Sequence, residues 1–188
     1  MLRRAIALCL SVSSWANVAL AQEVPPPAYQ IAAQRAGVPS AVLFAVALQE
    51  SGTSLQGRLI PWPWTLNVAG ISERYASRDE ACTRLKQVLN TTPADRLDAG
   101  LGQVNLGYQA HRYTHPCELL DPYQNLAVAA DILHEQHTPG EDWLLAIGRY
   151  HRPAGGLPAA RYRSSVNQHL LRVLGPGVSL PFTQVTPP

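Results

Sequence analysis

The chain has 188 residues, of which 46% are hydrophobic and 15% charged, and its formal net charge is +2. This length and apolar content suit one domain with its own core and argue against an intrinsically disordered chain. The near balance of charge argues against nucleic-acid binding by bulk charge, and no apolar run approaches the roughly 20 residues that cross a bilayer.

Residues 1–21 are typical of a signal peptide. A short basic start, MLRR, precedes an apolar stretch, and Ala19-Leu20-Ala21 match the small-x-small pattern that signal peptidases read. We therefore expect cleavage before Gln22 and an exported mature protein. The alternative is that this segment forms a short N-terminal helix of the domain.

One helical domain is predicted over residues 28–174, between a proline-rich lead (22–27) and a Pro/Gly-rich tail (175–188), both extended or loosely attached. Its predicted helices cover 28–36 and 39–50, then open at a capping box (77–80), at 121–122, after 140 and at 158. Residues 61–75 contain β-branched and aromatic residues around a glycine, which predicts a short hairpin or extended excursion. The expected fold class is α+β and mostly α-helical, with a small β excursion.

Export would leave two cysteines, Cys82 and Cys117, in an oxidising compartment. We favour a disulfide between them. The alternatives are two buried free thiols or half of a metal site with His111 and His115. Neither CxxC nor HExxH spacing is present to support a metal, so no metal ligand is assigned.

Glu50 is the strongest candidate for chemistry. It ends the predicted helix 39–50, which is apolar nearly all round and should lie at the centre of the domain. No basic residue lies within a turn of Glu50, so burial should raise its pKa to about 6 and let it donate a proton near neutrality. The alternative is a helix-end carboxylate that turns to solvent.

Three short motifs follow one another along the chain: residues 47–52 read ALQESG, residues 100–105 read GLGQVN and residues 146–151 read AIGRYH. Together they resemble the motifs of the soluble lytic transglycosylase (SLT) domain, a lysozyme-like fold that cleaves peptidoglycan. The resemblance spans roughly residues 28–174. The PWPWTLNVAG segment (61–70) and the RYH ending look most like the enzymes of conjugative elements and type IV secretion systems, which implies a periplasmic location.

The resemblance implies a role for each matched residue. Glu50 would be the catalytic acid and base, and Ser51 would help hold the site or the substrate's acetamido group. Gln103 would hydrogen-bond the sugar, and Tyr150 would touch Glu50 and orient it. The remaining implied substrate-binding positions are Asn105 and His151.

Two positions depart from the family's pattern. Gly102 stands where the family usually has Met, which predicts a wider cleft floor. His151 stands where Asn is usual, so a hydrogen bond to the sugar or a loop would be made differently. His151 is either a second proton carrier or a hydrogen-bonded structural residue, and we favour the latter.

The implied reaction needs one carboxylate and neither metal nor organic cofactor. Its substrate is the glycan strand of peptidoglycan, and its product is a 1,6-anhydro end formed without water. A glycoside hydrolase normally uses two carboxylates about 5–9 Å apart. Asp98 is the only acid near a motif other than Glu50, and we favour for it a turn or capping role before Gly100.

Two rival functions remain open from the sequence. One is a hydrolytic muramidase of the same fold that uses Asp98. The other is a catalytically silent wall-binding or assembly module of a secretion machine. The basic end of the chain either faces anionic glycan or a partner protein or is a solvated helix face, and its arginines are Arg149, Arg152, Arg161, Arg163 and Arg172. Trp62 and Trp64 either stack on sugars or anchor a loop on the core, and we favour the anchor.

Overall fold

The fold comes from a computed structural model that describes residues 22–175, and the predicted signal peptide (1–21) and nearly all of the predicted tail (176–188) lie outside the described residues. It is an α+β domain, as the sequence predicts. The helices are α1 (Pro27–Ala36), α2 (Ser40–Ser51), α3 (Arg78–Val88), α4 (Pro122–Glu135), α5 (Trp143–His151) and α6 (Gly156–Leu174). The strands are β1 (Gly52–Leu55), β2 (Arg58–Pro61), β3 (Thr65–Val68), β4 (Ile71–Arg74), β5 (Leu97–Ala99) and β6 (Val104–Asn105).

Helix α2 forms the centre of the core. Every residue from Val42 to Leu48 is buried, and α1, α4, α5 and α6 all contact this helix. Because apolar residues cover nearly its whole circumference, burial on all sides is the arrangement that removes most apolar surface from water. Within residues 22–175 no single helix is long and apolar enough to span a membrane, and α1 with α2 reach that length only as a pair bent by 117°.

The β structure is more extensive than the sequence predicts. The predicted excursion at 61–75 contains the β3–β4 hairpin, which belongs to a four-stranded antiparallel sheet of order β4-β3-β5-β6. A separate β1–β2 hairpin follows α2 directly. Strands β5 and β6 have three and two residues, too short to show a period-2 pattern in the sequence.

The predicted helix starts at 77–80 and 121–122 are confirmed. The Ser77 hydroxyl accepts a hydrogen bond from the Glu80 backbone N–H (3.2 Å), and the Asp121 carboxylate accepts two backbone N–H bonds at the start of α4 (3.0 Å each). The last helix begins at Gly156, two residues before the predicted Pro158. The turn before α6 uses two glycines with positive φ, Gly155 and Gly156.

The proline-rich lead was predicted to be extended or loosely attached, and of these alternatives loose attachment is wrong. Residues 22–26 have neither helix nor strand but are bound to the domain. The Glu23 backbone N–H donates to the carbonyl of Val173 (3.1 Å), and its carboxylate lies 3.2 Å from Arg172 at the end of α6. The last residue of the predicted lead, Pro27, already belongs to α1.

Cys82 on α3 and Cys117 in a short 3₁₀ turn form a disulfide, with their Cα atoms 5.3 Å apart. The pairing that we favoured is confirmed, and the free-thiol and metal alternatives are wrong. The bond ties α3 to the turn Pro116–Leu120, which precedes α4.

Replacing both Cys82 and Cys117 with Ala should lower the free energy of unfolding by about 3–4 kcal/mol. The two residues are 35 apart in the chain, so the bond restricts a loop of that size in the unfolded state. Denaturant unfolding of the oxidised protein and of the double variant measures this difference. A disulfide without this stabilising effect would give equal unfolding midpoints.

Candidate active site

A cleft of about 650 Å³ lies where the end of α2 faces the four-stranded sheet and the end of α5. This size is within the range of about 300–1,000 Å³ that is usual for ligand sites. Its wall includes five of the six residues expected from the motifs and one expected as a turn residue. Those that line it are Glu50, Asp98, Gln103, Asn105, Tyr150 and His151.

Glu50 lies in the last turn of α2 with its side chain half-buried. Burial raises the pKa of Glu50 from 4.5 to about 7, and the negative charge of Asp98 raises it further, while a hydrogen bond from Tyr162 opposes the rise. No ion pair to Glu50 occurs among the described residues. The direction and cause of the pKa shift agree with the prediction, although the pKa is about 7 and not about 6, and this carboxyl can both donate and accept a proton near neutral pH.

The residue that touches Glu50 is Tyr162 on α6. Its hydroxyl donates to Glu50 Oε1 at 2.5 Å, and its ring stacks on the ring of His151 with centroids 4.5 Å apart. The sequence predicts an inward position for Tyr162 but no role. A buried tyrosine hydroxyl needs a hydrogen-bond partner, and this need is the signal in the sequence that could have identified Tyr162.

Replacing Tyr162 with Phe should raise the pKa of Glu50, because the hydroxyl stabilises the carboxylate form. We expect the alkaline limb of the pH–rate profile to move to higher pH and the maximal rate to fall roughly tenfold. Glycan cleavage measured across pH tests this. Tyr29→Phe, which removes a hydroxyl from a buried tyrosine outside the cleft, is the matched control. An unchanged profile in Tyr162→Phe would remove Tyr162 from the site.

Asp98 lies in strand β5, and the turn or capping role that we favoured for it is wrong. Strand β5 pairs with β3 and β6, so Asp98 is flanked by Asn67 and Asn105. The amide of Asn67 donates to Asp98 Oδ2 (3.0 Å) and the amide of Asn105 to Oδ1 (2.8 Å). Burial raises the pKa of Asp98, and the two amides oppose that rise. The cleft therefore contains a second carboxylate.

Asn125 on α4 holds the loop that carries the second motif. Its amide nitrogen donates to the carbonyls of Ala99 and Leu119, and its oxygen accepts from the Gly102 N–H, all at 2.8 Å. Asn125 is fully buried, and sequence reasoning missed it. One polar residue on an otherwise apolar helix face was its only signal.

Ser51 is also fully buried, and its hydroxyl lies within 2.8 Å of the carbonyl of Leu101 and 3.0 Å of that of Ala47. Of the two roles that the resemblance implies for Ser51, this position suits holding the site and does not suit contact with a substrate. Ser51 thereby joins the end of α2 to the loop that follows β5.

Gly102 does not widen the cleft floor, which corrects the expectation from its departure from the family. A Cβ at Gly102 would lie 2.6 Å from the Ala129 Cβ and 2.9 Å from the Tyr150 hydroxyl. These two side chains occupy the space that a larger residue would need. The Tyr150 hydroxyl donates to the Gly102 carbonyl (2.6 Å), so the orienting bond expected from Tyr150 to Glu50 is made by Tyr162 instead.

Gln103 and Asn105 are mainly engaged with the protein. Gln103 has a positive φ of 46°, and its amide nitrogen donates to the carbonyls of Gly100 and Thr65. The Asn105 amide donates to Asp98 and to the Asp95 carbonyl, and its oxygen accepts two backbone N–H bonds. Asn105 therefore positions Asp98 and the following loop.

The side chain of His151 is exposed at the cleft. Its partial burial and the positive charge of Arg152 lower its pKa, and the negative charge of Asp98 opposes this change. It stacks on Tyr162, and no hydrogen bond to it occurs among the described residues, which corrects the hydrogen-bonded structural role that we favoured for His151. Trp62 donates its indole N–H to the Tyr75 carbonyl (2.7 Å) and packs edge-on against Trp64, as the anchor interpretation predicts.

In the described part of the chain, no group of three or more His, Cys, Asp or Glu residues is arranged to hold a metal ion. Two of the arginines considered as a binding face have acidic partners: Arg149 pairs with Glu141, and Arg172 with Glu23.

Comparison of the chain with models of known protein families, with curated proteins and with solved structures found no match.

Proposed function

We propose that this protein is a peptidoglycan lytic transglycosylase with a lysozyme-like SLT fold. The observation that carries the proposal is Glu50, whose carboxyl has a pKa of about 7, has no ion-pair partner in the described part of the chain and lies in a cleft large enough for a sugar. The three SLT-like motifs also support the proposal, because each of them contributes residues to the wall of this cleft.

In the proposed reaction, protonated Glu50 donates its proton to the oxygen that links N-acetylmuramic acid to N-acetylglucosamine. The substrate's own acetamido group stabilises the positive charge that develops at C1. The Glu50 carboxylate then takes the proton of the muramoyl 6-hydroxyl, which closes on C1 as a 1,6-anhydro ring. A pKa near neutrality suits both steps, because neither protonation state of Glu50 is costly to reach.

Asp98 favours a second candidate, a hydrolytic muramidase. Inverting and retaining glycoside hydrolases both place a second carboxylate in the cleft, as a base for water or as a nucleophile. Asp98 lies in the same cleft as Glu50 and is held by two amides, as a group that must keep a fixed orientation would be.

The products distinguish the two reactions. Purified peptidoglycan is digested in water labelled with heavy oxygen, and the fragments are analysed by mass spectrometry. A transglycosylase gives fragments one water lighter than hydrolytic products and without label, and Asp98→Asn retains this product type. Labelled reducing ends that disappear in Asp98→Asn would establish the muramidase, and the absence of any product would favour the silent wall-binding module.

We further propose that the enzyme acts in the periplasm and opens the cell wall locally for a conjugation or type IV secretion apparatus. The support is the sequence of residues 61–70, which resembles the enzymes of such systems, together with the signal-peptide pattern and the Cys82–Cys117 disulfide.

A further inference from the structure

Tyr108 is a large aromatic side chain that is 70% exposed and yet lines the cleft that contains Glu50. Its neighbours in the sequence along this wall, Asn105 and Gln109, are polar. Removing the apolar surface of an aromatic ring from water is favourable. For an exposed ring in a cleft, this happens when a bound molecule covers it. None of the three motifs includes Tyr108, and the mechanism proposed above does not use it.

The loop that carries Tyr108 is fixed by hydrogen bonds. The backbone N–H groups of Gly107 and Tyr108 both donate to Asn105 Oδ1, at 3.1 and 3.0 Å, and the Gly107 N–H is also 3.0 Å from the Ala94 carbonyl. A Cβ at Gly107 would lie only 2.6 Å from the backbone nitrogen of Asp95, so the two segments are in direct contact. The backbone therefore presents the Tyr108 ring from a constant position, which lowers the entropy lost when a ligand covers it.

The same Asn105 side chain links this ring to the chemistry of the cleft. Its oxygen fixes the Tyr108 loop, and its amide nitrogen fixes the Asp98 carboxylate at 2.8 Å. Asn105 therefore fixes the Tyr108 loop relative to the Asp98 carboxylate. The tryptophans that the sequence offered as sugar contacts, Trp62 and Trp64, are not among the residues that line the cleft.

We infer that the Tyr108 ring is a stacking platform for one hexosamine ring of the glycan strand, so that it determines affinity for the strand. One face of a pyranose carries C–H groups with partial positive charge, which pack on the negative face of an aromatic ring while the tyrosine hydroxyl stays in water. The identity of the glycan as peptidoglycan rests on the function proposed above.

The test measures binding without cleavage, in the otherwise full-length mature protein with Glu50→Gln. Co-sedimentation with purified peptidoglycan, and with glycan strands freed of their peptides by an amidase, gives the affinity of each variant. Adding Tyr108→Ala should weaken binding to both materials roughly fivefold to tenfold, and Tyr108→Phe should stay within about twofold. In the cleaving protein, Tyr108→Ala should raise KM and leave kcat nearly unchanged.

Tyr123→Ala is the matched control, because Tyr123 is 66% exposed and is not among the residues that line the cleft. Equal binding by Tyr108→Ala and its parent would overturn the platform even if the wild-type protein cleaves peptidoglycan. A loss seen only on peptide-bearing material would overturn the sugar as its occupant. A Tyr108 effect on peptide-free strands would support the platform even if the wild-type protein cleaves nothing.

Discussion

Replacing Glu50 with Gln should lower the rate of peptidoglycan cleavage by about 10³-fold or more, because glutamine can neither donate nor accept the proton in either step. The rate of the wild-type protein should itself fall as the pH rises through about 7, where Glu50 loses its proton. Release of soluble fragments from purified peptidoglycan, followed from pH 4 to pH 9, measures both effects.

Glu135→Gln is the matched control, since its carboxylate lies on the surface beside Arg112 and outside the cleft. It should cleave at the wild-type rate. Cleavage by Glu50→Gln at more than a tenth of the wild-type rate would show that another group is the acid, and Asp98 is the first that we would then test.

The Glu50→Gln substitution should also stabilise the protein at high pH. Folding raises the pKa of Glu50 from 4.5 to about 7, so the folded state binds the proton more tightly than the unfolded chain. The stability that this proton contributes is complete below pH 4.5 and is lost as the pH rises to about 7. Glu50→Gln cannot ionise, so it should unfold like the wild type at pH 4 and be more stable by roughly 1–3 kcal/mol at pH 8.

Denaturant unfolding at the two pH values measures this difference without any substrate. Equal stability at pH 8 would mean that the Glu50 carboxylate is solvated in the folded protein. That result would remove the physical basis for a proton donor at neutral pH, whatever the activity of the variant.

Replacing Asn125 with Ala should lower the free energy of unfolding by roughly 3–5 kcal/mol. The variant leaves the Gly102 N–H and the carbonyls of Ala99 and Leu119 without their partner in a region with no solvent access. A loss of this size is a large fraction of the stability of an ordinary domain.

Activity should fall together with stability in Asn125→Ala, because the loop it holds bears the carbonyls of Leu101 and Gly102, which bind Ser51 and Tyr150. Gln124→Ala changes the neighbouring, exposed residue of the same helix and should alter neither property. Thermal unfolding and cleavage assays of the two variants test this. Similar unfolding temperatures for both would mean that Asn125 does not hold the loop.

Hydrophobic periodicity and end signals predicted most of the helices. The all-apolar stretch of α2, the serine cap of α3 and the Asp121-Pro122 start of α4 are each written in a few adjacent residues. The small strands were mostly missed. A strand of two or three residues such as β5 or β6 forms because a partner strand lies beside it. The residues of the strand itself do not indicate which segment that partner is.

The candidate site was likewise predicted only in part from the sequence. Glu50 was predicted from its place at the end of an apolar helix, and its raised pKa follows from that burial. The partner of Glu50 was assigned to Tyr150 by resemblance, whereas Tyr162 holds that position. Helix α6 packs on α2 and brings Tyr162 to a residue 112 positions away, a distance over which local patterns carry no information.

The sequence by itself determined that the chain has one buried helix ending in an acid, a pair of cysteines suited to a disulfide and a mostly helical α+β domain. Each of these depends on the chemistry of nearby residues and on helical spacing. Only the tertiary structure decided that Asp98 faces the cleft from a strand, that Asn125 holds the motif loop and that the exposed Tyr108 lines the same cleft as Glu50. These placements depend on side chains meeting across elements that are far apart in the chain, and packing of the whole domain sets them.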